Sequence, residues 1–220
     1  MPPVYCCPRL ESPLHVTGRV DDPRWALASE AVLTDPVAGG PVTYRTTVRL
    51  LYDATCLYLG FVCEDDLVWG TQTARNAAIF QEECVEAFLC PSGKFRQYYE
   101  INVSPRNTVY AGYVLNSGSD ERRQIQSFVD EYACEGLLTR THIDGELGVP
   151  GARGWSAEYA IPFRSLIGGD HVVPEPGDEW LANLYRIDSV PGGPLELYAW
   201  TAVGQPDFHR PWRFGTVRFM

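Results

Sequence analysis

Period-two alternation constrains this chain more than any other feature. No long window of its 220 residues places apolar side chains at i, i+3, i+4 and i+7. Short segments alternate apolar and polar positions instead, which is the signature of half-buried strands. "TTVRLLYD" (46–53) and "LYLGFVC" (57–63), joined by "ATC", read as a hairpin. "CVEAFLC" (84–90) and "QYYEINV" (97–103) follow, separated by "PSGKFR", whose Pro91 and Gly93 favour a turn. "NTVYAGYV" (107–114), "GWSAEYAI" (154–161), "EWLANLYRID" (179–188), "LELYAWT" (195–201) and "RFGTVRF" (213–219) supply further strands. "PFRSLIGG" (162–169) reads as a single helical turn. Many short strands with no internal repeat and no linker predict an all-β fold over residues 1–220 as one domain. The expected form is a two-sheet sandwich.

The same period splits each strand into two faces. Val85, Ala87 and Leu89 form an apolar face, and Cys84, Glu86, Phe88 and Cys90 lie opposite. Tyr98, Glu100 and Asn102 oppose Tyr99, Ile101 and Val103, while Asn183 and Tyr185 oppose Ala182, Leu184 and Arg186. In the 195–201 strand, Glu196, Tyr198 and Trp200 share a face opposite Leu195, Leu197 and Ala199, and the first set is assigned to the mixed side. Several strands thus pair one apolar face with one that mixes rings, carboxylates and amides. A solvated sheet face accounts for such a pattern. So does a sugar-binding surface, because sugar C–H faces stack on rings while hydroxyls need planar donors and acceptors.

Charge narrows the partners. The formal net charge is −10, and the nearest approach to a basic run is "DERRQ" (120–124), which reads as a solvated loop. Nucleic acids and anionic membranes are therefore not expected partners, since phosphate recognition relies on clustered Lys and Arg. "MPPVYCCPRL" lacks a secretory pattern, and the seven cysteines are an odd number, so reduced thiols and a cytoplasmic rather than secreted protein are expected. Cys84 and Cys90 share a face but lie too far apart along the strand to bridge.

Several stretches, in order, resemble the family 9 carbohydrate-binding module. "VTGRVDDPRWALA" (16–28) is similar to the family's opening D-G-x-x-D-D-x-x-W segment, with Thr17 where Asp is usual. "ECVEAFLCP" resembles D-x-V-E-x-F-L-D-P, and "GWSAEYAIPFRSL" resembles G-W-x-V-E-x-A-I-P-F-x-x-L. "PGDEWLANLYRID" and "AWTAVGQPDFHRPWRFGTVRF" resemble the closing stretches. The resemblance implies a distorted two-sheet antiparallel β-sandwich, jelly-roll or immunoglobulin-like, that grips a terminal sugar of a mono- or oligosaccharide between two tryptophans without catalysis. One tryptophan position is Phe80 here, six residues before Glu86, and the other matches Trp200. Glu86 and Asn183 match the family's glutamate and asparagine, and Glu100 stands where at least one module carries Arg. Arg186 and His209 are candidates for ligand binding or for anchoring loops.

The resemblance also implies that any part in polysaccharide breakdown runs through a separate glycoside hydrolase, such as a xylanase. No cofactor is required. Glu64, Asp65 and Asp66 in "CEDD" (63–66) could hold a structural calcium, since hard cations take oxygen ligands, or form a plain acidic turn. Two alternatives to sugar binding remain open at this level. One is an interaction scaffold that has lost the sugar pocket. The other is a glycosidase using Glu86 and Glu100, which must face each other about 5–5.5 Å apart for retention or 6.5–9.5 Å for inversion.

Overall fold

Residues 2–116, 126–129 and 132–220 are described by the computed structural model, and the "DERRQ" run lies outside the described residues. The strands are β1 (Val4–Cys7), β2 (Ala31–Val32), β3 (Thr46–Tyr52), β4 (Cys56–Glu64), β5 (Cys84–Cys90), β6 (Gln97–Val103) and β7 (Val109–Asn116). They continue with β8 (Gln126–Val129), β9 (Leu138–Asp144), β10 (Gly154–Pro162), β11 (Glu179–Ser189), β12 (Leu195–Ala199) and β13 (Gly215–Phe219). The larger sheet runs β1-β13-β11-β5-β6-β7-β8, with β12 also paired to β11, and the smaller runs β2-β3-β4-β10-β9. The predicted β-sandwich is the observed architecture, with one parallel pair, β1 on β13. Among the described residues no helix is long and apolar enough to cross a membrane.

Strand phase decides what lies between the sheets. Val85, Ala87 and Leu89 of β5, with Ile101 and Val103 of β6 and Leu184 of β11, point inward. They meet Leu50, Leu59, Phe61, Ala157 and Tyr159 of the smaller sheet. Each Val, Leu, Ile or Phe among them contributes roughly 1.5–3 kcal/mol by leaving water. The mixed face of the larger sheet is also covered. Phe88, Tyr98, Tyr110 and Tyr185 join Val203, Phe208 and Phe214 from the 200–214 segment in a second, aromatic layer.

A third layer lies on the outer face of the smaller sheet, where Leu14, Val16 and Trp25 cover Leu51, Tyr58 and Ala160. One buried carboxylate fixes it. Glu158 Oε2 accepts from the backbone N–H groups of Thr17 at 2.6 Å and Gly18 at 2.7 Å, and Oε1 accepts from Trp25 Nε1 at 2.8 Å. The "VTGRVDDPRW" and "GWSAEYAI" motifs are thus two halves of one hydrogen-bonded knot. Strands β1, β2, β8 and β9 were not legible as strands: β2 has two residues, and β9 is an edge strand of mostly polar "LTRTHID".

Replacing Glu158 by Ala removes the shared acceptor of four donors, the Thr17 hydroxyl at 3.2 Å among them, and a carboxylate hydrogen bond contributes about 1.5–3 kcal/mol. The variant is expected to lose about 3 kcal/mol in urea unfolding followed by tryptophan fluorescence. A loss under about 1 kcal/mol would show that the N-terminal layer is held by apolar contact alone.

Candidate functional site

The mixed face of the larger sheet is not covered everywhere. A cleft of ≈ 480 Å³ opens between the aromatic layer and the segment preceding β5, with Glu86 and Glu100 at its base. Both carboxyls are nearly inaccessible, at 2% and 4% exposure, yet both line the cleft. Register brings them together: Glu86 lies opposite Asn102, and Glu100 opposite Phe88, so all three polar side chains share a face. The Asn102 amide donates to Glu86 Oε1 at 3.2 Å and to Glu100 Oε1 at 2.9 Å. Burial pushes the Glu86 carboxyl well above the usual range, and the adjacent Glu100 charge pushes it further. Both effects disfavour the charged form of Glu86 relative to an exposed carboxylate.

Rings form the walls. Phe80 sits in a 3-10 turn, Ile79–Gln81, and meets Tyr110 edge to face at 5.6 Å. Tyr110 leans over Gly112, where a Cβ would come within 3.1 Å of the tyrosine hydroxyl, so a glycine opposite Glu100 makes room for the ring. Phe208 forms the facing wall. It stacks on Tyr185 at 4.0 Å, and the Tyr185 hydroxyl donates to the Phe208 carbonyl. His209 lies beside it, with Nδ1 2.8 Å from the Tyr98 hydroxyl and Nε2 4.0 Å from Glu100 Oε2. Ile187, Leu195 and Leu197 close the third side. Tyr110 and Phe208 were missed from the sequence. Tyr110 could have been found by extending the strand phase into β7.

Phe80, Glu86, Glu100 and His209 thus converge; Trp200, Asn183 and Arg186 do not. Trp200 was expected opposite Phe80. Ladder register prevents it: Tyr185 pairs with Ala199 and Ile187 with Leu197, so Leu195, Leu197 and Ala199 take the cleft side. The Trp200 ring goes the other way, edge-on to Tyr5 at 6.2 Å, and a Cβ at Gly215 would lie 2.6 Å from it. Asn183 was expected to hold ligand hydroxyls, but its amide is already engaged. Nδ2 donates to the Tyr185 hydroxyl and the Thr201 carbonyl, while Oδ1 accepts from Leu184 and Thr201 N–H groups. It clamps the start of the segment that carries Phe208 and His209.

Arg186 is an anchor as well, and it corrects the calcium expectation. Its guanidinium is inaccessible and contacts Asp65 at 2.5 Å, Glu83 at 3.3 Å and Asp188 at 3.5 Å through one nitrogen. The other terminal nitrogen donates to the Glu64 carbonyl and the Thr46 hydroxyl. Glu64, Asp65 and Asp66 therefore do not converge as a ligand set. The carboxyl trio that does converge, Asp65, Glu83 and Asp188, surrounds a guanidinium where a metal would sit. The residues do not fit calcium. Glu83 also accepts from the Trp69 N–H, and Glu82 from Thr71 and Gln72, so both acids pin the loop before Phe80.

The profile of "Carbohydrate-binding family 9" matches residues 36–219. An "Extracellular protein" of Arthroderma benhamiae is 25% identical over 173 residues, which cover 75% of this chain and 74% of that protein. A Bacteroides uniformis protein provisionally described as carbohydrate-binding superposes with a TM-score of 0.78 at 16% identity, covering 100% of both chains. A family 9 module from Caldicellulosiruptor kristjanssonii in complex with cellotriose gives 0.66 at 13% identity, over 98% of this chain and 93% of the module. The same organism's module with glucose gives 0.65 at 14%, over 98% and 95%.

The Arg186 cluster has a pH signature. Burial pushes the Asp188 carboxyl up to about 6, against the pull of Arg186. A folded pKa above the unfolded value of about 3.9 means that the proton favours folding. This contribution is present below pH 4 and lost as pH rises through 6, with a size of about 3 kcal/mol. The unfolding free energy of wild type, relative to Asp188→Asn, should fall by that order between pH 4 and 7. A constant difference would show that Asp188 titrates normally.

Proposed function

The chain belongs to carbohydrate-binding family 9, and from that premise we propose that its cleft binds the terminal sugar of a saccharide without catalysing its cleavage. One observation carries the reading: two buried carboxyls, held side by side by one amide, form the base of a cleft walled by Phe80, Tyr110 and Phe208. A sugar ring placed there lays its C–H face on an aromatic wall, and its hydroxyls reach Glu86 and Glu100. His209 adds a polar group at the same base. The cleft lies within the roughly 300–1,000 Å³ typical of small-molecule sites. Structures of the neighbouring family 9 module with glucose and cellotriose support the same class of ligand.

The disposition of the acids argues against hydrolysis. A glycosidase flanks the scissile bond with two carboxyls, one on each side. Glu86 and Glu100 instead hang from the same amide on one side of the cleft, so both reach the same edge of a bound ring. A role in polysaccharide breakdown would run through a separate glycoside hydrolase, with this chain supplying the grip.

Isothermal titration with glucose, cellotriose and xylotriose tests the reading. Binding by at least one is expected, with no release of chromophore from nitrophenyl glycosides. Glu100→Gln and Glu86→Gln should each weaken binding about tenfold or more, as loss of a hydrogen bond to a charged or buried group costs about 1.5–3 kcal/mol. Phe80→Trp should tighten it by about threefold through the larger stacking area. Absence of heat with every sugar, or affinity untouched by both glutamine variants, would reject this cleft as the site.

A further inference from the structure

The strands that carry the first cleft also build a second one on their opposite face. Tyr99 follows Tyr98 on β6 and points to the inner side of the sheet, directly opposite Tyr113 of β7. The walls facing these two rings are loops, residues 132–135 and 164–167, and the space between is ≈ 570 Å³. Tyr132 completes a row of three rings, with centroids 4.9 Å apart from Tyr99 to Tyr113 and 5.0 Å from Tyr99 to Tyr132.

Two of the three rings, Tyr99 and Tyr132, are held in place before any ligand arrives. The Tyr99 hydroxyl donates to the Ile167 carbonyl and accepts from the Ile167 N–H. The Tyr132 hydroxyl donates to the Ser165 carbonyl, and the Ser165 hydroxyl donates to the Glu135 carbonyl. These bonds tie both loops to Tyr99 and Tyr132, so a ligand packed against Tyr132 costs little side-chain entropy there. Burial accordingly pushes the Tyr99 hydroxyl up to about 12.

The mouth is polar and its groups are uncommitted. Arg164 and Glu135 are exposed there, and among the described residues neither side chain makes a hydrogen bond or ion pair, nor does the Tyr113 hydroxyl. Arg164 rests over Gly136, where a Cβ would come within 2.9 Å of its Nη2, so the glycine makes room for the guanidinium at the rim. A guanidinium offers five donors and a carboxylate about four acceptor sites. An apolar peptide side chain would use the rings and leave this rim idle, whereas a sugar uses both.

We propose that this cleft is a second saccharide site, taking a further sugar ring against Tyr113 and Tyr132 with its hydroxyls on Arg164 and Glu135. The choice of saccharide rests in part on the reading of the first cleft. The two sites lie back to back across β6 and β7, so one molecule engages two glycan chains, or two separated stretches of one. Two weak sites on a polymeric ligand act together by effective concentration.

The test is an NMR titration of the full chain, with labelled aromatic side chains, against cellotriose, xylotriose and mannotriose in turn. Two independent sets of shifts are expected, one at Phe80, Tyr110 and Phe208, the other at Tyr113 and Tyr132. Arg164→Ala, an exposed position, should weaken the second set about tenfold or more and leave the first unchanged. Tyr113→Ala should abolish it. Shifts confined to the first set overturn the second site and leave the first reading standing. Shifts confined to the second set, lost in both variants, support the second site while rejecting the first. No shift with any of the three sugars rejects both. A second set unmoved by Arg164→Ala and Tyr113→Ala also overturns the assignment.

Discussion

The buried guanidinium of Arg186 is the joint on which the candidate site hangs. It gathers the hydroxyl of Thr46 on β3, the Glu64 carbonyl at the end of β4, Asp65, the Glu83 carboxyl just before β5, and Asp188 on its own strand. Two sheets and one loop therefore meet on a single cation. Removing one partner of such a group leaves an uncompensated buried charge, which costs about 3–5 kcal/mol. Glu83 lies next to Glu82, which holds Thr71 and Gln72, and both follow directly on the turn carrying Phe80. The wall of the cleft is set from the core side of the sheet.

Asn183 does the same for the facing wall from the other side of β11. It lies three residues before Arg186, and an odd separation sends the two side chains to opposite faces of a regular strand. One reaches into the aromatic layer to clamp Thr201; the other reaches the inter-sheet side to clamp the end of β4. Both conserve the geometry of the cleft without touching what enters it. Residues that look like ligand contacts by motif are here the fasteners of two loops. The rings those loops deliver to the cleft are Phe80 and Phe208.

Much of this was legible in the alternation of β5, β6 and β11, because each has one face that is uniformly apolar. Val85, Ala87 and Leu89 had one place to go, and that fixed Glu86 on the other side; the same logic fixed Glu100 beside Asn102. The rule failed on β12. Leu195, Leu197 and Ala199 look like core residues, yet they take the cleft side, and Tyr198 goes inward with its hydroxyl on Glu196. The reason is that both faces of the larger sheet are covered, so apolar character no longer marks the inter-sheet side. Trp200 was misplaced with that strand. Phe208 was hidden for a different reason: it sits outside any strand, and a loop residue has no period to read.

A structure of the protein crystallised with cellotriose tests the central claim most directly. The account predicts a sugar ring stacked on Phe80 or Phe208, with its hydroxyls within hydrogen-bond distance of Glu86 and Glu100. A ring stacked on Trp200, or a cleft at Phe80 empty while sugar is bound elsewhere on the same molecule, would contradict it.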